Sequence, residues 1–416
     1  MYYKLLNLVL VRRPFLMLRG LSLLLFTLLL LGFTKEPPAA GKIWVGSWGT
    51  APQLVEPANM PPAPGLTNNT LRQVVCVSVG GKRLRLKFSN AFSKSAVTLK
   101  AVQIAVSKGG SAIDVSTIKT LKFNDKAEVT MEPGAELVSD AIAFDLKPRM
   151  EVAITIYFGE TSASVTGHPG SRTTSYILAG DHTAADFTSA VKADHWYAVT
   201  GIEVEAPKSA GAVAVIGDSI TDGRGSGTNK QNRWPDIFEM ALLKNKSTQQ
   251  VGVLNMGIGG NCVLRGGLGP TGLNRFEHDV LKQSGVRWLI IFEGVNDIGG
   301  IRDSSSATRV SKGLIAAYDK MITEAHAKGI KVYGATITPI KKSFYYSDIR
   351  ESVRNTVNEW IRTGGHFDAV IDLDKAIRDP QDILTMLTEN TAGDYLHPSE
   401  LGHQKLGEAV NVSLFK

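Results

Sequence analysis

Three side chains that lie far apart in the sequence are of the types that act together as nucleophile, base and orienting carboxylate. Ser219 ends the run Gly217-Asp218-Ser219, while Asp394 and His397 follow about 175 residues later. A serine hydroxyl is a poor nucleophile until a histidine takes its proton and a carboxylate orients that histidine. The residue types therefore predict a catalytic triad divided between two distant segments.

The segments that must position these residues alternate between apolar strands and helix-length stretches. Five continuous apolar runs are expected to be strands, and they cover residues 212–216, 251–255, 288–292, 332–337 and 369–373. Apolar strands that alternate with helices are typical of a parallel sheet covered on both faces. The sequence predicts a three-layer α/β domain over residues 208–416.

Functional groups of such sheets collect in the loops at the carboxyl ends of the strands. Four loops meet this description here, at residues 217–219, 255–261, 293–297 and 394–397. We expect them to lie close together at one edge of the sheet. Asp218 and Asp222, which flank the serine, are expected to stabilise their loop by hydrogen bonds.

The four loops, in this order, resemble the motif blocks of the SGNH or GDSL hydrolase family over roughly residues 211–416. The resemblance implies that Ser219 is the nucleophile and that Asp394 and His397 complete the triad. It also implies that Ser219, Gly260 and Asn296 form the oxyanion hole. Backbone N–H groups and a side-chain amide are donors suited to the oxyanion that forms when a serine attacks an ester.

Each of these residues also has a purely structural interpretation. Ser219 could cap a helix or lie in a turn, and His397, before a proline, could begin the last helix. Asp394 could be a turn residue, whereas Asn296 and Asp297 could cap the helix that follows. These interpretations do not predict that all the residue types occur together at matching loops.

Residues 41–207 are predicted to form an all-β accessory domain, either a sandwich or a jelly-roll-like fold. Residues 83–88 and 150–158 alternate between apolar and other side chains, as half-buried strands do. Gly80-Gly81 between two strand candidates predicts a tight hairpin. Trp44, Trp48 and the polar loop 166–172 are candidates for sugar-facing or domain-docking groups, with burial in the core as the alternative for the tryptophans.

The first 40 residues are predicted to be a signal peptide, with an uncleaved membrane anchor as the alternative. Basic residues precede an uncharged apolar run over 20–33, a length that suits a signal peptide better than a bilayer-spanning helix. The expected location is therefore secreted or periplasmic. More than half of the net charge of +7 lies in this segment, and a small surplus elsewhere excludes a nucleic-acid-binding footprint.

The sequence predicts neither a cofactor nor a metal site. The run at 267–272 matches a dinucleotide-binding fingerprint formally, but no predicted strand leads directly into it. Adjacent aspartate and histidine at 181–182 and 194–195 suit ordinary surface loops. Cys76 and Cys262 lie in different predicted domains and are expected to be buried free thiols.

The order of the predicted domains resembles that of secreted bacterial esterases associated with xylan degradation. This resemblance implies a serine esterase that removes short acyl groups, above all acetyl, from polysaccharide or oligosaccharide, with an acylated carbohydrate as its partner. A broad-specificity lipid or aryl esterase and an O-acyltransferase with the same triad remain open alternatives. A non-catalytic binding protein is disfavoured because all the catalytic residue types are present.

Overall fold

The computed structural model describes residues 37–183 and 187–416. Residues 38–416 form one compact unit. The predicted signal peptide or anchor lies outside the described residues except for its last four positions. Within the described ranges, no helix is both long enough and apolar enough to cross a membrane.

The N-terminal half is built from short strands, as its alternating sequence predicts. In chain order they are β1 (Lys42–Gly49), β2 (Gln53–Leu54), β3 (Asn69–Cys76), β4 (Gly81–Ser89), β5 (Val97–Val106), β6 (Lys119–Thr120), β7 (Val129–Met131), β8 (Glu136–Val138), β9 (Ile142–Leu146), β10 (Glu151–Phe158), β11 (Thr166–His168), β12 (Ser175–Ala179), β13 (Val191–Ala193), β14 (Trp196–Tyr197) and β15 (Val199–Pro207). Single 3₁₀ turns cover Pro57–Asn59 and Val115–Thr117.

These strands form antiparallel sheets that pack face to face. One sheet has the order β1-β15-β4-β8, with β9 also paired to β4, and a second has the order β13-β12-β3-β10-β5-β6, with β7 also paired to β5. A small third sheet has the order β14-β11-β2. Leu86 and Phe88 of the first sheet share one buried core with Leu71 and Ile154 of the second. The region is therefore a β-sandwich, and the predicted all-β class is confirmed.

The hairpin predicted at Gly80-Gly81 is wrong. Strand β3 pairs with β10 and β12, whereas β4 pairs with β15, β8 and β9, so the chain passes here from one sheet to the other. The glycines serve close packing instead of a turn. A Cβ atom on Gly80 would lie 2.5 Å from the carbonyl oxygen of Leu146, and one on Gly81 would lie 2.8 Å from Val204.

The C-terminal half contains the predicted parallel sheet. Its strands are β16 (Gly211–Gly217), β17 (Val251–Gly257), β18 (Val286–Phe292), β19 (Lys331–Ala335) and β20 (Ala369–Ile371), in the order β17-β16-β18-β19-β20. The helices are α1 (Ser219–Asp222), α2 (Trp234–Leu243), α3 (Gly272–Phe276), α4 (Val295–Gly299), α5 (Ser304–His326), α6 (Asp348–Thr363), α7 (Leu373–Ile377) and α8 (Glu400–Glu408). A π-helical turn, Glu277–Leu281, continues α3, and 3₁₀ turns cover Thr388–Asn390 and Val412–Phe415.

Alternate residues of the parallel strands face two separate cores. Ala214 and Ile216 of β16 pack on one face with side chains of α5 and α6. Val213 and Val215 pack on the other face with side chains of α2 and α8. The sheet is therefore covered by helices on both faces, which confirms the predicted three-layer α/β fold.

The β-rich and α/β regions contact each other along β1 and β17. Val45 of β1 shares a buried cluster with Leu254 and Met256 of β17. The backbones approach closely, since a Cβ atom on Gly252 would lie 2.2 Å from the carbonyl oxygen of Gly46. The predicted boundary between residues 207 and 208 falls at the end of β15, and the division of the chain into two domains stays a prediction.

Candidate active site

Ser219 lies just after the carboxyl end of β16, an interior strand of the sheet, where the chain turns into the short helix α1. The side chain of Asp218 caps this helix, because its Oδ1 accepts a hydrogen bond from the backbone N–H of Ile220 at 3.0 Å. Gly223 ends the helix with φ 109°, a conformation that favours glycine. Local backbone geometry thus fixes the direction of the Ser219 side chain.

His397 lies next to Ser219 in space although the two residues are far apart in the sequence. Ser219 Oγ and His397 Nε2 are 2.9 Å apart, and His397 Nδ1 lies 2.6 Å from Asp394 Oδ2. An ionised carboxylate accepts hydrogen bonds only, so the proton of the neutral ring is on Nδ1 and the lone pair on Nε2 faces the serine. The structure brings together the three residues that the sequence predicted as a triad.

The carboxylate of Asp394 is held by the same short loop that carries the histidine. Its Oδ1 accepts hydrogen bonds from the backbone N–H groups of Leu396 at 3.0 Å and His397 at 2.8 Å. Burial works to raise the pKa of Asp394, but the hydrogen bonds from His397 and Leu396 outweigh it and lower that pKa. Burial lowers the pKa of His397, and Asp394 opposes part of this effect. Both groups are thus set for a neutral ring beside an ionised carboxylate.

The predicted oxyanion-hole residues line the same cavity as Ser219 and His397. Gly260 adopts φ 69° in the loop after β17. The amide of Asn296 is oriented at both ends: its Nδ2 donates to the carbonyl oxygen of Asn261 at 2.8 Å, and its Oδ1 accepts from the hydroxyl of Tyr345 at 2.8 Å. An amide nitrogen has two hydrogens, so one N–H remains for a ligand in the cavity.

Asp297 has a structural role, but it does not cap a helix as the sequence suggested. It lies inside α4, and its two carboxylate oxygens accept hydrogen bonds from the backbone N–H groups of Val263 at 2.7 Å and Leu264 at 3.0 Å. These bonds tie the start of α4 to the loop that carries Gly260. Burial raises the pKa of Asp297 to about 6, and the backbone hydrogen bonds oppose that rise.

Arg275 supports the site from beneath, and nothing in the sequence pattern pointed to it. Its guanidinium donates to the carbonyl oxygens of Gly217 at 2.9 Å and Met256 at 2.5 Å, and to Asn261 Oδ1 at 3.0 Å. It therefore joins the ends of β16 and β17, the strands that lead to Ser219 and Gly260. Buried carboxyl groups surround it, and burial raises the pKa of Glu293 to about 8.

The β-rich region forms one wall of the cavity beside Ser219. The cavity has a volume of about 440 Å³. The polar side chains on this wall are Gln53, Glu56, Asn59, Arg172 and His195. Glu56 is held in place by hydrogen bonds from the amide of Gln53 at 2.5 Å and that of Asn59 at 3.0 Å.

The α/β region adds apolar and aromatic side chains to the lining of the cavity. They include Leu268, Tyr345 and Phe344, and Phe344 is 68% exposed. The rings of Phe344 and Tyr345 meet edge to face with centroids 4.6 Å apart. The side chain of Leu268 lies over Gly260, because a Cβ atom on that glycine would be 3.4 Å from it.

A second histidine–aspartate contact joins the two regions next to the site. His168, at the end of β11, places Nε2 2.8 Å from Oδ1 of Asp222, the last residue of α1. Its Nδ1 lies 2.9 Å from the carbonyl oxygen of Ala51. Asp222 Oδ2 lies 3.6 Å from the guanidinium of Arg172. The polar loop 166–172 therefore contacts the α/β region.

The candidate tryptophans and cysteines are buried. Trp44 and Trp48 are buried, and Trp48 packs edge to face against Trp196. Cys76 and Cys262 are free and buried, as predicted, and burial raises the pKa of each thiol to about 12. No cluster of three or more potential metal-binding side chains occurs in residues 37–183 and 187–416.

The fold and the site together define a three-layer α/β domain with a serine, a histidine and a carboxylate at the carboxyl edge of its sheet. The sequence model of the GDSL-like lipase/acylhydrolase family matches residues 215–405. The matched residues lie within the α/β region, so this region is similar to the GDSL-like domain of acylhydrolases.

Solved structures similar to the chain include two enzymes. An acetylxylan esterase from Geobacillus stearothermophilus is 22% identical, with a TM-score of 0.37, and the match covers 49% of this chain and 94% of that enzyme. An α/β-hydrolase enzyme from the metagenome of Lake Arreo is 17% identical, with a TM-score of 0.35, and the match covers 48% of this chain and 94% of that enzyme. A comparison with curated proteins found no match.

Proposed function

We propose that this protein is a serine esterase that hydrolyses short acyl esters, above all acetyl esters, on polysaccharide or oligosaccharide. The observation that carries the proposal is the continuous hydrogen-bonded series from Ser219 Oγ through His397 to Asp394, which opens into the cavity. The family match of residues 215–405 supports ester hydrolysis as the reaction class.

In the proposed mechanism, His397 Nε2 takes the proton of Ser219 as Oγ attacks the ester carbonyl. The resulting oxyanion accepts hydrogen bonds from the backbone N–H groups of Ser219 and Gly260 and from the amide of Asn296. The imidazolium, stabilised by Asp394, then gives its proton to the departing alcohol and leaves an acyl-enzyme. Water attacks the acyl-enzyme with His397 again as base, and the acid product leaves.

The preference for a short acyl group rests on the space beside the proposed oxyanion donors. The Leu268 side chain covers Gly260 at van der Waals distance. A long acyl chain would have to displace this side chain, whereas an acetyl group needs little room.

The preference for a carbohydrate alcohol rests on the polar wall of the β-rich region. Asn59, Arg172 and His195 offer hydrogen-bonding groups in the same cavity as the exposed ring of Phe344. Sugars combine hydroxyl groups with apolar C–H faces, and a cleft lined by both polar and aromatic side chains suits them.

We also propose that the protein acts outside the cytoplasm, either secreted or in the periplasm.

A second candidate is a lipid or aryl esterase of broad specificity. The exposed side chains of Leu268 and Phe344 at the cleft favour it, because they offer apolar surface to a hydrophobic ester.

A substrate panel tests the proposal. We expect release of acetate from acetylated xylan and acetylated oligosaccharides to exceed hydrolysis of long-chain esters, and we expect Ser219→Ala to abolish it. Preference for long chains would contradict the carbohydrate assignment. Acyl transfer to an added sugar in excess of hydrolysis would instead identify an O-acyltransferase.

A further inference from the structure

His168 and Asp222 form a buried contact, and the groups around it bear on how many protons the histidine ring carries. The side chains are 4% and 2% exposed. The carbonyl oxygen of Ala51 only accepts hydrogen bonds, so the ring carries a proton on Nδ1. Asp222 Oδ1 lies 2.8 Å from Nε2, and a hydrogen bond there needs a second proton. The nearby guanidinium of Arg172 favours the ionised carboxylate, and a ring that carries protons on both nitrogens would satisfy both contacts.

The Asp222 carboxylate lies where the elements of the proposed active site meet. Asp222 ends the helix that Ser219 begins, and it lines the cavity. A Cβ atom on Gly257 would lie 2.3 Å from its backbone nitrogen, and one on Gly259 would lie 3.4 Å from its Oδ2. A Cβ atom on Gly170 of the β-rich region would lie 1.9 Å from the same oxygen. The carboxylate is therefore packed between the serine turn, the glycine loop and the β-rich region.

A buried negative charge at this position would oppose the proposed reaction unless it is balanced. The tetrahedral intermediate places a developing oxyanion in the same cavity, and like charges repel strongly where water is excluded. Asp222 Oδ2 has no hydrogen-bond partner among the described residues. Arg172 lies 3.6 Å away and is partly exposed, whereas His168 is buried and its Nε2 lies 2.8 Å from Oδ1.

We propose that His168 is a positioning residue through which the β-rich region takes part in catalysis. As an imidazolium it neutralises Asp222 and holds the serine turn against the glycine loop, so that the oxyanion can form beside Ser219. This inference rests on the proposed function. It makes the β-rich region part of the catalytic unit and not a detachable binding module.

The test compares three variants by their kcat and KM for a small acetyl ester. His168→Gln keeps a side-chain amide near the carboxylate but removes the positive charge, and we expect kcat to fall about 10- to 100-fold with KM within about threefold. Adding Asp222→Asn removes the unbalanced charge, so the double variant is expected to recover at least about fivefold in kcat. His326→Gln is the matched control, because His326 Nε2 also lies 2.8 Å from an aspartate oxygen, that of Asp368, at an exposed site.

The outcomes separate this inference from the function on which it rests. If hydrolysis depends on Ser219 but His168→Gln behaves like the His326→Gln control, the inference is wrong and the esterase assignment stands. A double variant no faster than His168→Gln would also overturn charge balance as the cause. If the wild-type protein shows no hydrolysis that depends on Ser219, the proposed function fails and the inference fails with it.

A readout on the wild-type protein covers the case in which His168→Gln does not fold. In protein labelled with ¹⁵N-histidine, we expect the nitrogen shifts of the His168 ring to show protons on both nitrogens at pH 7. In Asp222→Asn, the ring is expected to become singly protonated, because an amide can donate to Nε2. A singly protonated ring in the wild-type protein would overturn the proposal.

Discussion

Two histidine–aspartate pairs lie beside the same cavity, one within the α/β region and one that reaches across from the β-rich region. In the first, Asp394 accepts a hydrogen bond from Nδ1–H of His397, which leaves Nε2 facing Ser219. In the second, Nδ1 of His168 contacts the backbone carbonyl oxygen of Ala51, and Nε2 contacts the carboxylate of Asp222. The first ring keeps a lone pair for the proton of Ser219, whereas both nitrogens of the second ring face acceptor oxygens. Such a pair can act as a base only if the nitrogen that does not face the carboxylate is left free to accept a proton.

The two regions also contribute different kinds of groups to the cavity. The α/β region places the candidate nucleophile, base and oxyanion donors at strand ends, where backbone geometry fixes them. The β-rich region adds a wall of polar side chains and, through His168, a buried contact to Asp222. Changes in the first group should act on kcat, and changes in the wall should act on KM.

The largest expected effect is the loss of the nucleophile. Ser219→Ala should lower kcat for acetyl esters by roughly 10⁴-fold or more, because residual activity then depends on binding and the oxyanion donors alone. Steady-state hydrolysis and labelling by a fluorophosphonate measure it. The control is Ser226→Ala, since Ser226 Oγ makes no hydrogen bond within the described residues. Labelling that persists in Ser219→Ala would mean that the nucleophile is another residue.

Loss of one oxyanion donor should lower kcat less than loss of the nucleophile does. Asn296→Ala is expected to lower kcat about 10²- to 10³-fold with a small change in KM. Tyr345→Phe removes the hydrogen bond that orients the Asn296 amide, and it should lower kcat by a smaller factor. The exposed Asn274 provides the control variant Asn274→Ala. Equal losses in kcat for Asn296→Ala and its control would remove Asn296 from the oxyanion hole.

A smaller effect, on KM, is expected from the exposed aromatic ring of Phe344 in the cavity. Phe344→Ala should raise KM for acetylated oligosaccharides about three- to tenfold, the value of one aromatic contact, and leave KM for a small acetyl ester nearly unchanged. Side-by-side kinetics on the two substrates measure the contrast. An equal change for both substrates would argue against stacking on a sugar ring.

The pH profile of kcat/KM should change less, but the direction of its shift is predicted. The proposed base must be neutral, so activity should fall at acid pH as His397 becomes protonated. The positive charge of Arg224 helps to lower the pKa of His397, and its removal raises that pKa. In Arg224→Gln the acid limb of the kcat/KM profile should therefore move to higher pH. Arg309→Gln, at an exposed position of helix α5, should leave the profile in place, because Arg309 is not among the charges that act on His397.

The smallest effect on activity should come from a contact between the regions outside the cavity. His278 lies 2.5 Å from Asp279 and 2.7 Å from Glu136 of the β-rich region, and these hydrogen bonds raise its pKa to about 9. The histidine then contributes stability fully below its unfolded pKa of about 6.5 and loses it as the pH rises through about 9. Thermal unfolding of His278→Gln should show a deficit at pH 6.5 that shrinks near pH 10, at unchanged kcat. A deficit that is constant with pH would contradict the ion pair.

Much of the α/β region could be predicted because its signals are local. Apolar runs such as 212–216 are continuous where a strand is buried on both faces, and the loops after them carry the residue types of the site. The β-rich region was harder, since Gly80-Gly81 has the composition of a hairpin but serves close packing between strands. The contact of His168 with Asp222 joins residues 54 positions apart from two regions. No periodicity or spacing within either segment records such a pairing, and the same holds for Tyr345 and Asn296.

The two buried thiols give the protein a practical property. Only thiolates react readily with maleimides, and burial keeps Cys76 and Cys262 protonated far above neutral pH. Phe344→Cys would then place a single reactive thiol at the mouth of the cavity without removal of the native cysteines. A fluorophore attached there would report directly on the arrival and departure of ligands.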